Sequence, residues 1–300
     1  MKKSVTGVLL MVLAAACLAA SIILMKIIPQ LTALKPAHVS IWRFIIAGGL
    51  FWIIEILRGS KAVKRKTIPF RYLVLGFVFS IGGLLAVFAL ERLPSSIYIL
   101  IIYIYPSLVV LYSLFTGQSV PKLFWLGLPL TFVGLFLAVF DFESALSIDP
   151  VGFVITLFNT LAMGSYFVLS ARFFKGESSK YDGTKWMLTG AMLFSLLWIP
   201  VLGIQTPESL LSWLLMLSLG IIGTFVPLLA INMGLQLVGA ARGSVIITLH
   251  PVIAVLLSTI FLGEQLMVQQ WIGGGLVIAA IVLLQLSADR ETKAPAEAAR

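Results

Sequence analysis

Ten stretches of about twenty mostly apolar residues follow one another along this chain of 300 residues, separated only by short breaks. They lie near 5–27, 39–58, 70–90, 94–115, 121–141, 150–172, 184–203, 210–236, 239–261 and 267–287. About twenty residues is what one helix needs to cross the hydrocarbon of a bilayer. None of the runs alternates with the period of two that marks a barrel strand. In hydrocarbon every backbone N–H and C=O must be satisfied internally, so helices are expected. Prolines punctuate the breaks at Pro36, Pro69, Pro94, Pro121, Pro150 and Pro207. At a helix start the missing N–H of proline costs nothing. The expectation is an all-α integral membrane protein with ten transmembrane helices.

Composition excludes the other classes. Only 11% of residues are charged, against about 25% in a soluble domain, so a water-facing surface could not be covered. A mean hydropathy of +1.08 excludes disorder, which needs low hydrophobicity and high charge. One cysteine excludes a disulfide scaffold. The net charge of +9 would suggest nucleic acid in a soluble chain, but its placement argues otherwise. With a cytoplasmic N-terminus, the outer segments hold only Lys26, Lys35, Arg43 and Arg92, and the other 17 of the 21 Lys and Arg fall inside. That bias is an orientation signal, with both termini expected in the cytoplasm of a plasma-membrane protein. No nucleic-acid partner is expected. Met1-Lys2-Lys3 and Ala14-Ala15-Ala16-Cys17 imitate a secretory or lipoprotein signal. The apolar run continues past Cys17 to Ile28, longer than a signal core, so retention as a first span is expected, with Cys17 a small packing residue.

The two halves resemble each other at an offset of 145 residues. Gly7 faces Gly152, Ala89–Pro94 faces Gly234–Gly239, Tyr105-Pro106 faces His250-Pro251, and with small shifts Trp42 faces Trp186 and Trp125 faces Trp271. Five spans is an odd number, so a second copy enters from the opposite side. Inverted repeats are a signature of secondary transporters, with the site near the midplane between the repeats.

The residues at the end of each copy make the likeness specific. The second copy reads Leu249-His250-Pro251-Val252, then Leu262-Gly263-Glu264, then Trp271-Ile272-Gly273-Gly274-Gly275; the first reads Tyr105-Pro106-Ser107, then Gly117-Gln118, then Gly127 and Gly134. Both halves resemble the EamA-type repeat of the drug/metabolite transporter superfamily. That repeat ends in a helix with a central proline, a Gly-Glu turn and a final helix rich in small residues. The first copy departs by carrying Gln118 in place of Glu. The resemblance spans about 5–287 and implies a permease of two five-helix repeats, 5–141 and 150–287, followed by a polar tail, 288–300. It implies export of amino acids or other small metabolites and assigns structural roles to Pro106, Pro251, Gly263 and Glu264.

Chemistry is sparse. The aspartates Asp141, Asp149, Asp182 and Asp289 lie in loops or tails, and there is no HExxH, no Ser-His-Asp set and no Walker motif. His38 and His250 are far apart, and one cysteine completes no cluster. No cofactor or metal is expected, and ATP cannot drive this chain alone. The expected partners are a small solute and the lipid bilayer. The small-residue rows Ala15/Ala19 and Gly275/Ala279 suit close helix packing, within the chain or across a homodimer.

Ionisable and polar residues inside spans are functional candidates because their burial is costly. His250 sits near the middle of the ninth run, beside Pro251, which frees a carbonyl near Ile247 from its helical bond. Its pseudo-symmetric partner is Tyr105. Further midplane candidates are Tyr98, Tyr103, Asn159, Tyr166, Thr224, Asn232 and Thr248. Asn159 and Tyr166 are seven apart and share one helix face. Each could instead be interhelical glue. Lys26 and Arg43 lie toward the outer side, where they could meet an anionic group, whereas Glu55 and Arg92 read as interfacial anchors. No carboxylate falls near a span centre, which favours facilitated diffusion or exchange of a zwitterionic or neutral solute over tight ion coupling. A membrane-embedded enzyme with a lipid-accessible pocket is the alternative; unchanged solute in a flux assay would discriminate.

Overall fold

Of the prolines expected at helix starts, Pro36 and Pro150 open helices, Pro207 precedes one that starts at Leu210, and Pro69, Pro94 and Pro121 lie outside the described residues. In the computed structural model, Pro150 opens its helix with Asp149 as cap, the carboxylate accepting from the Gly152 N–H at 2.8 Å. Ser209 caps another, accepting from the Ser212 N–H at 3.1 Å. Such caps satisfy backbone donors that a helix start leaves orphaned. The structure describes residues 2–57, 70–93, 95–115, 124–139, 149–175, 180–262 and 267–297.

Among the described residues all regular structure is helical. The first half holds α1 (Lys2–Leu31), α2 (Pro36–Leu57), α3 (Phe70–Leu90), α4 (Ser95–Ile102), α5 (Tyr105–Phe115) and α6 (Phe124–Val139). The second holds α7 (Pro150–Phe173), α8 (Lys180–Leu197), α9 (Ile199–Leu202), α10 (Leu210–Gly220), α11 (Val226–Val238), α12 (Ala240–Ile246), α13 (Leu249–Leu262) and α14 (Val268–Glu297). Six segments are long and apolar enough to cross a membrane, and four shorter apolar helices of 10–17 residues accompany them. Large apolar side chains such as Leu9, Ile56, Phe115 and Leu210 stand outward, while Thr156, Asn159, Thr184, Asn232 and Ser244 are buried. A chain in water would aggregate through such a surface; acyl chains satisfy it.

Two long runs are interrupted where proline forbids the regular ladder. The chain turns at Tyr103–Ile104 between α4 and α5, just before Pro106, and at Ile247–Thr248 between α12 and α13, just before Pro251. Pro251 has no N–H for the Ile247 carbonyl, which accepts instead from the His250 N–H at 3.0 Å. A third irregularity lies between α10 and α11, where Ile221–Phe225 winds as a π-turn ahead of Pro227 and the Val226 N–H reaches back five residues to the Ile221 carbonyl. The apolar run 210–236 predicts one continuous helix, which the structure interrupts here.

The halves pack on each other through glycines. A Cβ on Gly7 would lie 2.6 Å from the Leu237 side chain and 2.8 Å from that of Val238; one on Gly152 would lie 2.8 Å from Leu93 and 2.9 Å from Arg92. These four contacts pair residues 145 apart with the halves exchanged. The same exchange relates the packing of α1 on α11 to that of α3 on α7, while α6 packs on α14 and α2 on α8. One hydrophobic core runs through both halves, from Met11, Phe44 and Tyr72 to Phe167, Met187 and Val277.

Candidate functional site

The two broken helices meet at their breaks. The Tyr103 hydroxyl bonds His250 Nδ1, and the two rings stack with centroids 5.7 Å apart. Tyr105 donates its hydroxyl proton to the Ser244 carbonyl at 3.2 Å. That carbonyl is available because the Thr248 N–H turns to Val245, three residues back, at 3.0 Å, where a regular helix would use Ser244. Thr248 spends its own hydroxyl on Val245 as well, at 2.6 Å, so it serves the turn and no second helix. Tyr105 also stacks on Phe167 at 5.1 Å. The break in one half is thus stitched by side chains to the break in the other, with Pro106 and Pro251 both buried beside it.

Around this crossing the other candidates divide into two groups. Asn159 donates to the Tyr98 hydroxyl at 2.8 Å, and the Asn159 Oδ1 is buried without a hydrogen-bond partner, facing Gly82. Asn232 is fully engaged: its oxygen accepts from Ser170 at 2.7 Å and Tyr166 at 3.2 Å, and its amide donates to Thr184 at 3.0 Å. Asn159 and Tyr166 are both buried on α7, yet they hold different partners. Asn232 and Tyr166 tie α7, α8 and α11 together, which is the interhelical role such residues commonly take.

Arg43 is apart from both groups. Only 8% exposed, it donates from Nε to Thr224 Oγ1 at 3.2 Å and from Nη1 to Met25 Sδ at 3.3 Å. Thr224 lies in the π-turn and donates to the Leu219 carbonyl at 3.4 Å. Among the described residues no carboxylate pairs with Arg43. The side chain of Lys26 and the Gly263-Glu264 turn lie outside the described residues.

One buried charge was not among the sequence candidates. Lys185 Nζ lies 3.2 Å from Glu55 and 3.5 Å from Asp182, with the Lys185 side chain 8% exposed. Its ammonium also stands 5.4 Å over the Trp52 ring, whose Nε1 donates to Thr189 at 3.0 Å. Glu55, expected as an interfacial anchor, therefore clamps α2 to α8. Substituting Lys185→Met is expected to cost about 1–2 kcal/mol in thermal unfolding in detergent, below the cost of breaking a fully buried pair because both acids keep some water contact. The double variant with Glu55→Gln should be no less stable than the single one; equal melting of the parent and all variants would show that the pair contributes nothing. Arg92, by contrast, makes an exposed pair with Asp149 at 3.6 Å. No group of three or more metal-binding side chains occurs among the described residues.

An all-helical body with apolar exterior, polar buried seams and paired helix breaks where its halves meet defines a polytopic membrane protein built like a carrier. The chain belongs to the EamA-like transporter family, whose model matches twice, at residues 5–140 and 150–286. It is 25% identical over 248 residues to YedA of Escherichia coli K12, named an uncharacterized inner membrane transporter, covering 81% of this chain and 79% of that one. It is 24% identical over 266 residues to the transporter YdfC of Bacillus subtilis, covering 86% and 84%, and 23% identical over 291 residues to YcbK of the same organism, covering 93% of each. A solved crystal structure of a protein superposes with a TM-score of 0.76 at 19% identity, over 96% of this chain and 98% of its own. That likeness speaks for the fold alone. The protein is a multi-pass membrane transporter.

Proposed function

We propose that the chain is a ten-span permease of the cytoplasmic membrane that exports a small zwitterionic or neutral metabolite by alternating access. Its two five-helix copies are inverted relative to each other, both termini lie in the cytoplasm, and the polar tail 288–300 follows the second copy. The observation that carries the reading is the meeting of the two proline-broken helices at Tyr103, Tyr105, Ser244 and His250. Broken helices facing each other near the midplane are where carriers hold solutes. The exchanged contacts of Gly7 and Gly152 support the inversion. The scarcity of buried acids supports exchange or facilitated diffusion over ion coupling.

Two experiments test this. Overexpressing cells are screened for efflux of, or resistance to, amino acids, nucleosides and toxic analogues, and the solute found is then loaded into proteoliposomes. Flux without chemical change is expected, with or without a pH gradient; conversion of the solute would favour the enzyme, and strict gradient dependence would overturn the uncoupled mechanism. Reporter fusions after residues 62 and 145 are expected on opposite sides, the first inside. The same side for both sinks the ten-span arrangement.

A further inference from the structure

A buried guanidinium is expensive unless something anionic repays its lost hydration. Arg43 has five N–H donors. The described residues offer it one hydroxyl, Thr224 Oγ1 at 3.2 Å, one thioether, Met25 Sδ at 3.3 Å, which is a weak acceptor, and the face of the Phe44 ring, with its centroid 4.9 Å from Cζ. No described carboxylate approaches it, although a neighbouring helix shows what a satisfied charge looks like here: the buried Lys185 of α8 holds two acids, one of them Glu55 of α2. Among the described residues, one buried charge is thus met by carboxylates and the other is not.

The surroundings fit a ligand. Thr224, which meets Arg43, lies in the π-turn Ile221–Phe225 just ahead of Pro227, and such turns recur at binding sites. Gly223 keeps that turn tight against Ser21 of α1, where a Cβ would meet the Ser21 Cβ at 2.7 Å. Met25, the thioether partner, packs against a small apolar cluster of Ile28, Leu34, Val39, Met216 and Leu219. Beyond them a cavity of about 450 Å³ opens between the α1–α2 and α9–α10 connections, lined by Thr32, Leu34, Gln205 and Ser212 among others. Leu34 belongs to both the cavity and the cluster. The cavity, the apolar cluster and a guanidinium without a described carboxylate thus adjoin one another at the α1–α2 end of the bundle.

We infer that Arg43 is the anion-reading residue of the permease, binding the carboxylate of its solute as that solute passes between the central crossing and this cavity. The inference rests on the transporter reading and narrows its substrate class to zwitterions that carry a carboxylate, amino acids foremost. A carboxylate can take two parallel N–H bonds from a guanidinium, a geometry neither Thr224 nor Met25 can supply.

The test measures thermal unfolding of the purified protein against a panel of carboxylates, namely the common L-amino acids, acetate and benzoate, each beside its carboxamide, with inorganic phosphate as a further arm. At least one carboxylate is expected to stabilise the protein while its carboxamide does not. Arg43→Gln is expected to weaken its apparent affinity by about tenfold to a hundredfold, the loss typical of a charge-assisted bond, and Arg43→Lys by less. The comparison of acid with amide uses the unmutated chain, so it decides even where a variant does not fold. Equal response to acid and amide, no response to any carboxylate, a response to phosphate alone, or full affinity in Arg43→Gln each overturns the inference. Proteoliposome flux separates the two claims. A bound carboxylate that never crosses would end the permease reading and keep the anion site. A solute that crosses equally well as its amide, and through Arg43→Gln unchanged, would end the anion site and keep the permease.

Discussion

Replacing His250 by alanine is expected to cut solute flux by about tenfold or more while the protein still inserts and folds, melting moderately below the parent. The reason lies in what His250 joins. It stands immediately before Pro251, at the start of α13, and its Nδ1 meets the Tyr103 hydroxyl from the break in the other half. Removing the imidazole leaves that phenol, buried in the protein, without its partner. An unsatisfied buried group costs about 1–3 kcal/mol, and about 1.4 kcal/mol on a transport barrier is tenfold in rate. The loss should concentrate in flux because the backbone bonds of the break remain, including His250 N–H to the Ile247 carbonyl at 3.0 Å. Tyr103→Phe removes the same contact from the other side. The double variant should therefore transport about as well as the worse single one, the non-additivity expected of residues in contact. Parent-level flux in His250→Ala, with normal insertion, rejects the crossing as the working site.

Part of this arrangement is legible in the sequence. Helix starts at Pro36 and Pro150 follow from the geometry of proline, which is local. The breaks before Pro106 and Pro251 follow from the missing N–H, and the pairing of Gly7 with Gly152 from simple offset. What the sequence withheld is long-range. Glu55 and Lys185 are 130 positions apart, and nothing local to either says that they meet. Asn232 looked as good a solute ligand as Asn159; only the partners separate them, since Asn232 has its oxygen and its amide engaged by Ser170, Tyr166 and Thr184, whereas Asn159 keeps a buried oxygen unspent. The π-turn had a signal in Pro227, which sits inside an apolar run long enough to look uninterrupted. Thr224, the hydroxyl that meets Arg43, lies in that turn.

The other large effect concerns assembly of the halves. Gly76→Leu on α3 is expected to abolish accumulation of folded protein, because a Cβ at Gly76 falls onto the Met187 carbonyl oxygen of α8, with the Ala191 nitrogen 2.7 Å away. The obstacle is backbone, which cannot swing aside as a side-chain tip does. The approach is reciprocal: on α8, a Cβ at Gly190 would lie 2.8 Å from Leu73 Cα of α3. Small residues of this kind let membrane helices pack by dispersion where no hydrophobic force drives them together. Prying α3 from α8 also pulls on Met187 and Thr184, which hold the Asn232 amide, so the damage reaches a second interface. Even Gly76→Ala should melt lower, although alanine is the better helix former by about 1 kcal/mol. Gly49 supplies the control on the neighbouring α2. A Cβ there meets nothing within 4 Å, so Gly49→Ala should keep or raise stability by that propensity alone. Monodispersity after extraction and thermal melting read both variants. Equal behaviour of Gly76→Ala and Gly49→Ala would mean that α3 and α8 are not in backbone contact, and the seam between the two halves would have to be redrawn.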